Sequence, residues 1–287
     1  MANLKEIRNR ISSVKSTMQI TSAMKMVSAA KLKKAQDAIT AMRPYANKLT
    51  ELLQSLSASL DGDGGSVFAA EREVSRVLVV AITSNRGLCG AFNSNIIKEG
   101  HRLVNEVHKG KQVDFLTIGK KGNDILSKSY TIVHNNNAVF DDLTFENVEV
   151  IAEQLMNMFA TGAYDKVELV YNKFKNAATQ IVMTEQFLPI VASSDETVTG
   201  NADYIFEPEK AEIVRTLIPK SLKTQLYKAV RDSFASEHGA RMTAMHKATD
   251  NAAELRDALT LTYNKARQAA ITNEILEIVG GAEALNA

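Results

Sequence analysis

Glycine and proline are scarce at both ends of this chain. No glycine precedes Gly62, and the one proline in that stretch is Pro44. Beyond Pro219 there is no further proline, and Gly239 is the one glycine before Gly280-Gly281. Cysteine occurs once, at Cys89, which excludes a disulfide framework and a cysteine-based metal site and favours a reducing compartment. Tryptophan is absent and aromatics make up 6% of residues. No stretch approaches the ~18 consecutive apolar residues that would mark a membrane-spanning helix. Charged and apolar residues alternate from Lys5 onward, so the N-terminus lacks the apolar region of a secretory signal.

Chemical signatures are missing too. The chain has no G-x-x-x-x-G-K-[ST] run to surround phosphates, and no G-x-G-x-x-G after its first strand. His101, His108, His134, His238 and His246 form no H-x-x-x-H pair, which speaks against a helical zinc site. Gly119-Lys-Lys-Gly122 has the G-x-x-G form of a KH loop, but it follows a strand instead of joining two helices. Cys89, in a glycine-bounded loop, is readable as a nucleophile or, more plainly, as part of a small-residue turn. Arg86 in the same loop is an anion-binding candidate or an ordinary surface arginine. No catalytic constellation emerges, and no cofactor or metal is expected.

What is present is helix. The glycine-poor ends each allow about 55 residues of helix, roughly 80 Å at the α-helical rise. A lone helix of that length exposes its apolar stripe and needs a partner along its whole length. Leu4, Ile7, Ile11, Val14 and Met18 follow the 4-3 spacing of a coiled-coil seam, with Asn3 and Glu6 as an N-cap pair. Around Ile20 the stripe is expected to shift to Ile20, Met24, Val27 and Lys31. Pro44 is expected to kink or break this helix, and Asp61-Gly-Asp-Gly-Gly65 to end it. At the other end, Glu209–Leu217 reads as a short helix and Pro219 as the first turn of the long one. Its seam is Phe234, His238, Arg241, Met245, Ala248, Ala252, Leu255, Leu259, Thr262, Ala266, Ala269, Asn273 and Leu276, and Gly280-Gly281 is expected to stop it.

Between these ends the texture changes. Val77–Ile82 is a short apolar run, as expected of a strand buried on both faces. Helix Asn93–Val107, strand Val113–Ile118, a short helix, a strand near Thr131–His134, helix Phe145–Phe159, and strands Val167–Tyr171 and Gln180–Ile190 follow. Strands alternating with helices indicate an open, Rossmann-like α/β sheet. The expected divisions are residues 1–60 (coiled-coil helix), 74–191 (α/β domain) and 208–287 (coiled-coil helix). The fold class is α/β with a long antiparallel coiled coil. Charge is uneven: residues 1–48 carry a net +8, 49–219 a net −8, and 220–287 a net +1. A basic rod suggests an anionic partner, the plainer reading being a solvated basic face.

Three stretches bear a family resemblance: Ser22-Ala-Met-Lys-Met-Val-Ser-Ala-Ala-Lys-Leu-Lys-Lys-Ala-Gln36, Thr83-Ser-Asn-Arg-Gly-Leu-Cys-Gly-Ala-Phe-Asn93, and Tyr263 through Ala282 with Ile271-Thr272, Glu274, Glu277 and Gly281-Ala282. The chain resembles the gamma subunit of the rotary F-type ATP synthase. The resemblance implies a non-catalytic rotor shaft that couples rotation of the membrane c-ring to binding changes at the catalytic beta subunits. The implied partners are the alpha and beta subunits of the head, the epsilon subunit and the c-ring, with no nucleic acid and no membrane contact except through the complex. It places the chain on the cytoplasmic face of a bacterial plasma membrane, or less readily on the matrix side of a mitochondrial one.

With that resemblance in hand, Leu276, Ile278, Val279 and Leu285 are expected at an apolar collar of the head, and Arg267, Gln268 and Thr272 at polar catches below it. The basic face with Lys25, Lys31, Lys33 and Lys34 is expected to pass acidic loops of the catalytic subunits or polar loops of the ring, with Met24 and Lys25 near the acidic loops. Arg43, Tyr45, Tyr204, Phe206 and Glu207 are expected at a foot on the c-ring and epsilon. The alternatives are an α/β nucleotide-binding enzyme with a coiled-coil arm, which predicts a pocket near Ser84–Gly87, and a nucleic-acid-binding coiled coil resting on the basic first helix.

Overall fold

The computed structural model describes residues 4–57, 67–70, 72–190 and 210–286, without the side chains of residues 43, 47, 50–57, 210–215 and 283–286. Helix α1 spans Leu4–Ser57 and α5 spans Lys210–Asn286, 54 and 77 residues long. At 1.5 Å per residue the second is about 115 Å. Both run through a proline. Pro44 lies inside α1 and Pro219 inside α5. The expected break at Pro44 is therefore absent, and the short helix expected before Pro219 is the first part of α5 itself. Nor do Gly280 and Gly281 stop α5, which continues to Asn286. In a helix of this length two glycines cost about 1 kcal/mol each against alanine, a local penalty that does not end it. Asn3, Asp61–Gly65 and the 191–209 stretch, with Tyr204, Phe206 and Glu207, lie outside the described residues.

The chain divides into two units. One comprises residues 29–241 and contains a five-stranded sheet in the order β3-β2-β1-β4-β5, formed by Arg76–Ile82 (β1), Gln112–Ile118 (β2), Ile132–Asn135 (β3), Lys166–Phe174 (β4) and Gln180–Leu188 (β5). The first four strands are parallel and β5 is antiparallel to β4. The central strand β1 is buried on both faces, as its sequence predicts. Leu78, Val80 and Ile82 pack with α4 (Phe145–Ala160) and with Ile218, Leu222, Leu226 and Val230 of α5. Val77, Val79 and Ala81 pack on the other face with Ile96 and Ile97 of α2 (Phe92–Arg102) and Leu126 of α3 (Lys120–Leu126). The helix expected to reach Val107 is α-helical only to Arg102 and finishes as a π-helical turn, Leu103–Val107. Sequence order 1-2-3 grows the sheet to one side, and α4 returns the chain to the other side of β1. The fold is thus doubly wound, with its switch point between β1 and β4.

The second unit comprises residues 1–28 and 242–287. Here α1 and α5 pair antiparallel. Met18 meets Arg256, Thr21 meets Thr249 and Lys25 meets His246, so contacts advance along one helix as they retreat along the other. On α1 of this unit the half-buried and buried positions include Leu4, Ile7, Ile11, Val14, Met18, Thr21, Lys25 and Ser28. This is one unbroken 3-4 seam. The expected shift at Ile20 does not occur: Ile20 and Val27 are 60% and 57% exposed, and the seam positions beside them are polar. Apolarity alone pointed to the wrong residues, because Thr21 and Ser28 satisfy their hydroxyls on the Met18 and Met24 carbonyls and pass as small seam residues. On α5 the phase also differs. Met245, Ala252, Leu259 and Ala266 lie on the seam as expected, but Arg256, Tyr263 and Ala270 are half-buried where Leu255, Thr262 and Ala269 are exposed. Arg256 reaches Met18 Sδ at 3.8 Å, its stem covering apolar surface.

Candidate partner-contact surfaces

In a doubly wound sheet, ligands bind outside the carboxyl ends of the strands at the switch point. In the 29–241 unit that crevice is occupied by the protein's own α5. Ser236 donates to the Asn172 carbonyl of β4 at 2.9 Å. Gly239 approaches the turn after β4 so closely that a Cβ there would lie 3.3 Å from Ala177 Cα, a contact tight enough that the turn would have to shift by a few tenths of an ångström. Arg241 donates to the carbonyls of Arg86 (3.0 Å) and Gly87 (3.3 Å) in the loop after β1, and its other end pairs with Glu237 at 2.6 Å.

The loop's own polar groups are spent internally. Asn93 Oδ1 accepts from the Ser84 amide at 2.9 Å, the Ser84 hydroxyl donates to the Arg86 carbonyl at 2.6 Å, and Asn172 donates to the Phe92 carbonyl at 3.2 Å. Cys89 packs with Phe92 and Ala240, and burial pushes its thiol up from the usual value, the opposite of an activated nucleophile. Arg86 keeps its side chain exposed. Where the enzyme alternative places a nucleotide pocket, the Ser84 and Asn93 side chains bond within the loop and the Arg86 and Gly87 carbonyls hold Arg241 of the helix. Among the described residues no three His, Cys, Asp or Glu gather as a metal site.

The paired-helix unit carries the other surfaces. The antiparallel contacts set Leu4 opposite the Arg267–Gln268 turn, so α1 supplies no partner to α5 beyond that point among the described residues. From Ile271 to Ala282 every residue is exposed, including Ile271, Ile275, Leu276 (63%), Ile278 (71%) and Val279. Arg267, Gln268 and Thr272 are exposed on the same stretch, and Thr272 donates to the Gln268 carbonyl at 3.0 Å. Leu285 lies in α5 without a described side chain.

Near the middle of the pair, Met24 and Lys25 are half-buried, with Lys25 Nζ 3.4 Å from His246 Nδ1. Beside them stands an exposed apolar row that hydropathy alone does not single out, Ile20, Met26 and Val27, since Ile20 and Val27 are also the residues it places on the seam. Its signal was there: three apolar residues off the 3-4 register set by Leu4 through Met18.

In the 29–241 unit Lys31 and Lys34 are exposed, and Lys33 is exposed and paired with Asp37 at 2.9 Å. Tyr45 is exposed with Lys220 Nζ 5.9 Å from its ring centroid. Arg43 lies in α1, its side chain undescribed.

In this chain the ligand crevice at the switch point is filled by its own helix, and the second unit is a helix pair that ends in a bare apolar segment. Residues 3–285 match the ATP synthase family. The ATP synthase gamma chain of Flavobacterium psychrophilum is 73% identical over 285 residues, covering 99% of either chain. That of Christiangramia forsetii is 68% identical over 286 residues, covering both chains fully (100%). The central stalk and c-ring structure of the Tetrahymena thermophila mitochondrial ATP synthase contains a chain that superposes with a TM-score of 0.60 at 26% identity, covering 80% of this chain and 99% of that one. The chain belongs to the ATP synthase gamma chain family, and its role is that of the central stalk, not of the catalytic subunit. No described helix is long and apolar enough to cross a membrane.

Proposed function

We propose that this chain is the shaft of a proton-translocating rotary ATP synthase. It carries rotation from the c-ring to the catalytic beta subunits on the cytoplasmic face of a bacterial plasma membrane. The observation that carries the detailed reading is the bare end of α5, where five large apolar side chains from Ile271 to Val279 stand in solvent. Each contributes about 1.5–3 kcal/mol on full burial, so a collar around them would be occupied readily. Because hydrophobic contact is non-directional, an apolar tip turns within an apolar collar without preferring one angle strongly. Leu276, Ile278, Val279 and Leu285 are assigned to that collar, formed by alpha and beta subunits.

Arg267, Gln268 and Thr272 lie one to three turns nearer the seam and are assigned to polar catches. Met24, Lys25, Lys31 and Lys33 are assigned to acidic loops of the catalytic subunits, with Ile20, Met26 and Val27 adding an apolar strip beside them. Arg43, Tyr45, Tyr204, Phe206 and Glu207 are assigned to the foot on the c-ring and epsilon. Disulfide trapping tests the collar: a Leu276→Cys chain is expected to cross-link to a cysteine placed in the inner rim of a catalytic subunit. Absence of the cross-link in every nucleotide state sinks that assignment. Co-expression tests the whole reading, since ATP hydrolysis by the head subunits is expected only when this chain is present.

A further inference from the structure

The Glu237–Arg241 pair is buried, with side chains 10% and 9% exposed. Taking two charges out of water costs several kcal/mol, and a well-packed apolar pair in the same volume is often as stable. The pair therefore calls for an explanation in geometry. Arg241 supplies one: its Nη1 is fixed on Glu237 Oε1, while its Nη2 reaches two successive carbonyls, Arg86 and Gly87. The next residue, Leu88, sits at φ 61, a left-handed conformation that a leucine adopts only under constraint, and its side chain is 65% exposed. The Arg86 carbonyl takes a second donor from Ser84. Below it, Cys89 and Phe92 pack on Ala240, one residue from Arg241. Burial raises the Glu237 carboxyl, while Arg241, Lys31 and Arg86 pull it back toward ionisation.

We propose that Arg241, anchored by Glu237, is a positioning residue that locks the loop after β1 onto α5, so that the α/β body and this helix respond to torque as one piece. The planar guanidinium suits the task because it holds an anchor and two carbonyls at fixed angles. A lysine ammonium in its place offers a point charge without that fork. The inference rests on the shaft reading, since a stalk that slipped against its own body would lose rotation before it reached the catalytic sites.

The full-length chain provides the first test. In Arg241→Lys and Arg241→Gln, hydrogen exchange of the amides from Ser84 to Ala91 is expected to speed up about tenfold or more, while exchange in β1 and β2 stays as it was. Arg241→Lys keeps a cation beside Glu237, so its thermal midpoint is expected to stay nearer wild type than that of Arg241→Gln. A residue that merely neutralised Glu237 would have both midpoint and loop exchange restored by lysine. Unchanged loop exchange in Arg241→Lys overturns the proposal. In the assembled complex, both variants are expected to hydrolyse ATP while pumping fewer protons per ATP, and undiminished pumping with a loosened loop also overturns it. Failure of the wild-type chain to assemble would instead sink the shaft reading, leaving the exchange result to stand by itself.

Discussion

The hydroxyl oxygens of Thr21 and Thr249 lie 2.8 Å apart across the seam of the helix pair. Each is also within reach of a carbonyl on its own helix, Met18 at 3.1 Å and Met245 at 2.8 Å. A hydroxyl has one proton, so one of the two must donate across the seam while the other donates back. The pair is a polar contact at a position that otherwise calls for an apolar residue, and such contacts fix the register of a coiled coil. Thr21→Val is expected to destabilise the chain by about 0.5–1.5 kcal/mol. Adding Thr249→Val should cost less than it does in the wild-type chain, because the bond across the seam is then already gone. A double-mutant cycle by urea unfolding measures the coupling, and a coupling of zero would show the two side chains to be mere neighbours.

His238 offers a pH handle. Its ring is 5% exposed, lies edge-on to Phe234 at 4.5 Å, and has no hydrogen-bond partner on either nitrogen among the described residues. Burial, with Arg241 and Lys31 nearby, lowers its pKa from 6.5 to about 4. The unfolded chain therefore takes up a proton below about pH 6.5 that the folded chain refuses until about pH 4. Stability is lost as pH falls through that window, by up to about 3 kcal/mol. His238→Leu removes both unpaired nitrogens and is expected to unfold later in urea at pH 7 and to lose less between pH 6.5 and pH 4.5. Parallel pH profiles for the two chains would refute this.

Two glycines should respond to alanine with opposite signs. At Gly119 a Cβ would stand 2.2 Å from the Thr83 carbonyl oxygen on a backbone at φ 107, so Gly119→Ala is expected to cost more than about 2 kcal/mol. At Gly280, inside α5, a Cβ meets nothing within 4 Å, and Gly280→Ala is expected to stiffen the helix by up to about 1 kcal/mol. Circular dichroism and thermal unfolding read both, and a loss of helicity in Gly280→Ala would contradict the continuous α5.

The exposed tip separates stability from action. Replacing Ile275, Leu276 and Ile278 together by serine is expected to leave the thermal midpoint of the free chain nearly unchanged, within about 0.5 kcal/mol, because these side chains are more than half exposed. The assembled complex should nonetheless lose coupled ATP synthesis. A marked fall in the free chain's midpoint would mean that the tip is packed in solution.

Much of the fold is legible in the residues. Val77–Ile82 announces a strand covered on both sides, and glycine-poor ends announce helices that must pair. Leu4 through Met18 set the register of the α1 seam. At Ile20 hydropathy and spacing part ways: the apolar Ile20 is 60% exposed while Thr21 holds the buried place. A threonine or serine whose hydroxyl is satisfied on its own helix sits on a seam as readily as an alanine. The slip at Leu255 has the same origin: Arg256 takes the half-buried place with its methylenes, which a hydropathy pattern counts as polar.

The sequence by itself determined the class of architecture and the family, because helix length, strand texture and the stretches around Met24, Arg86 and Thr272 are local properties of the chain. Only the tertiary structure decided that α5 fills the crevice at the carboxyl ends of β1 and β4, and that Arg241 spends its guanidinium on Glu237 and on the carbonyls of Arg86 and Gly87. Glu237 is one helical turn from Arg241, but the Arg86 and Gly87 carbonyls lie 155 and 154 residues away in the chain, a separation over which no local pattern carries information. They meet because the returning helix buries apolar surface on the sheet, and the polar contacts form where that packing sets them down.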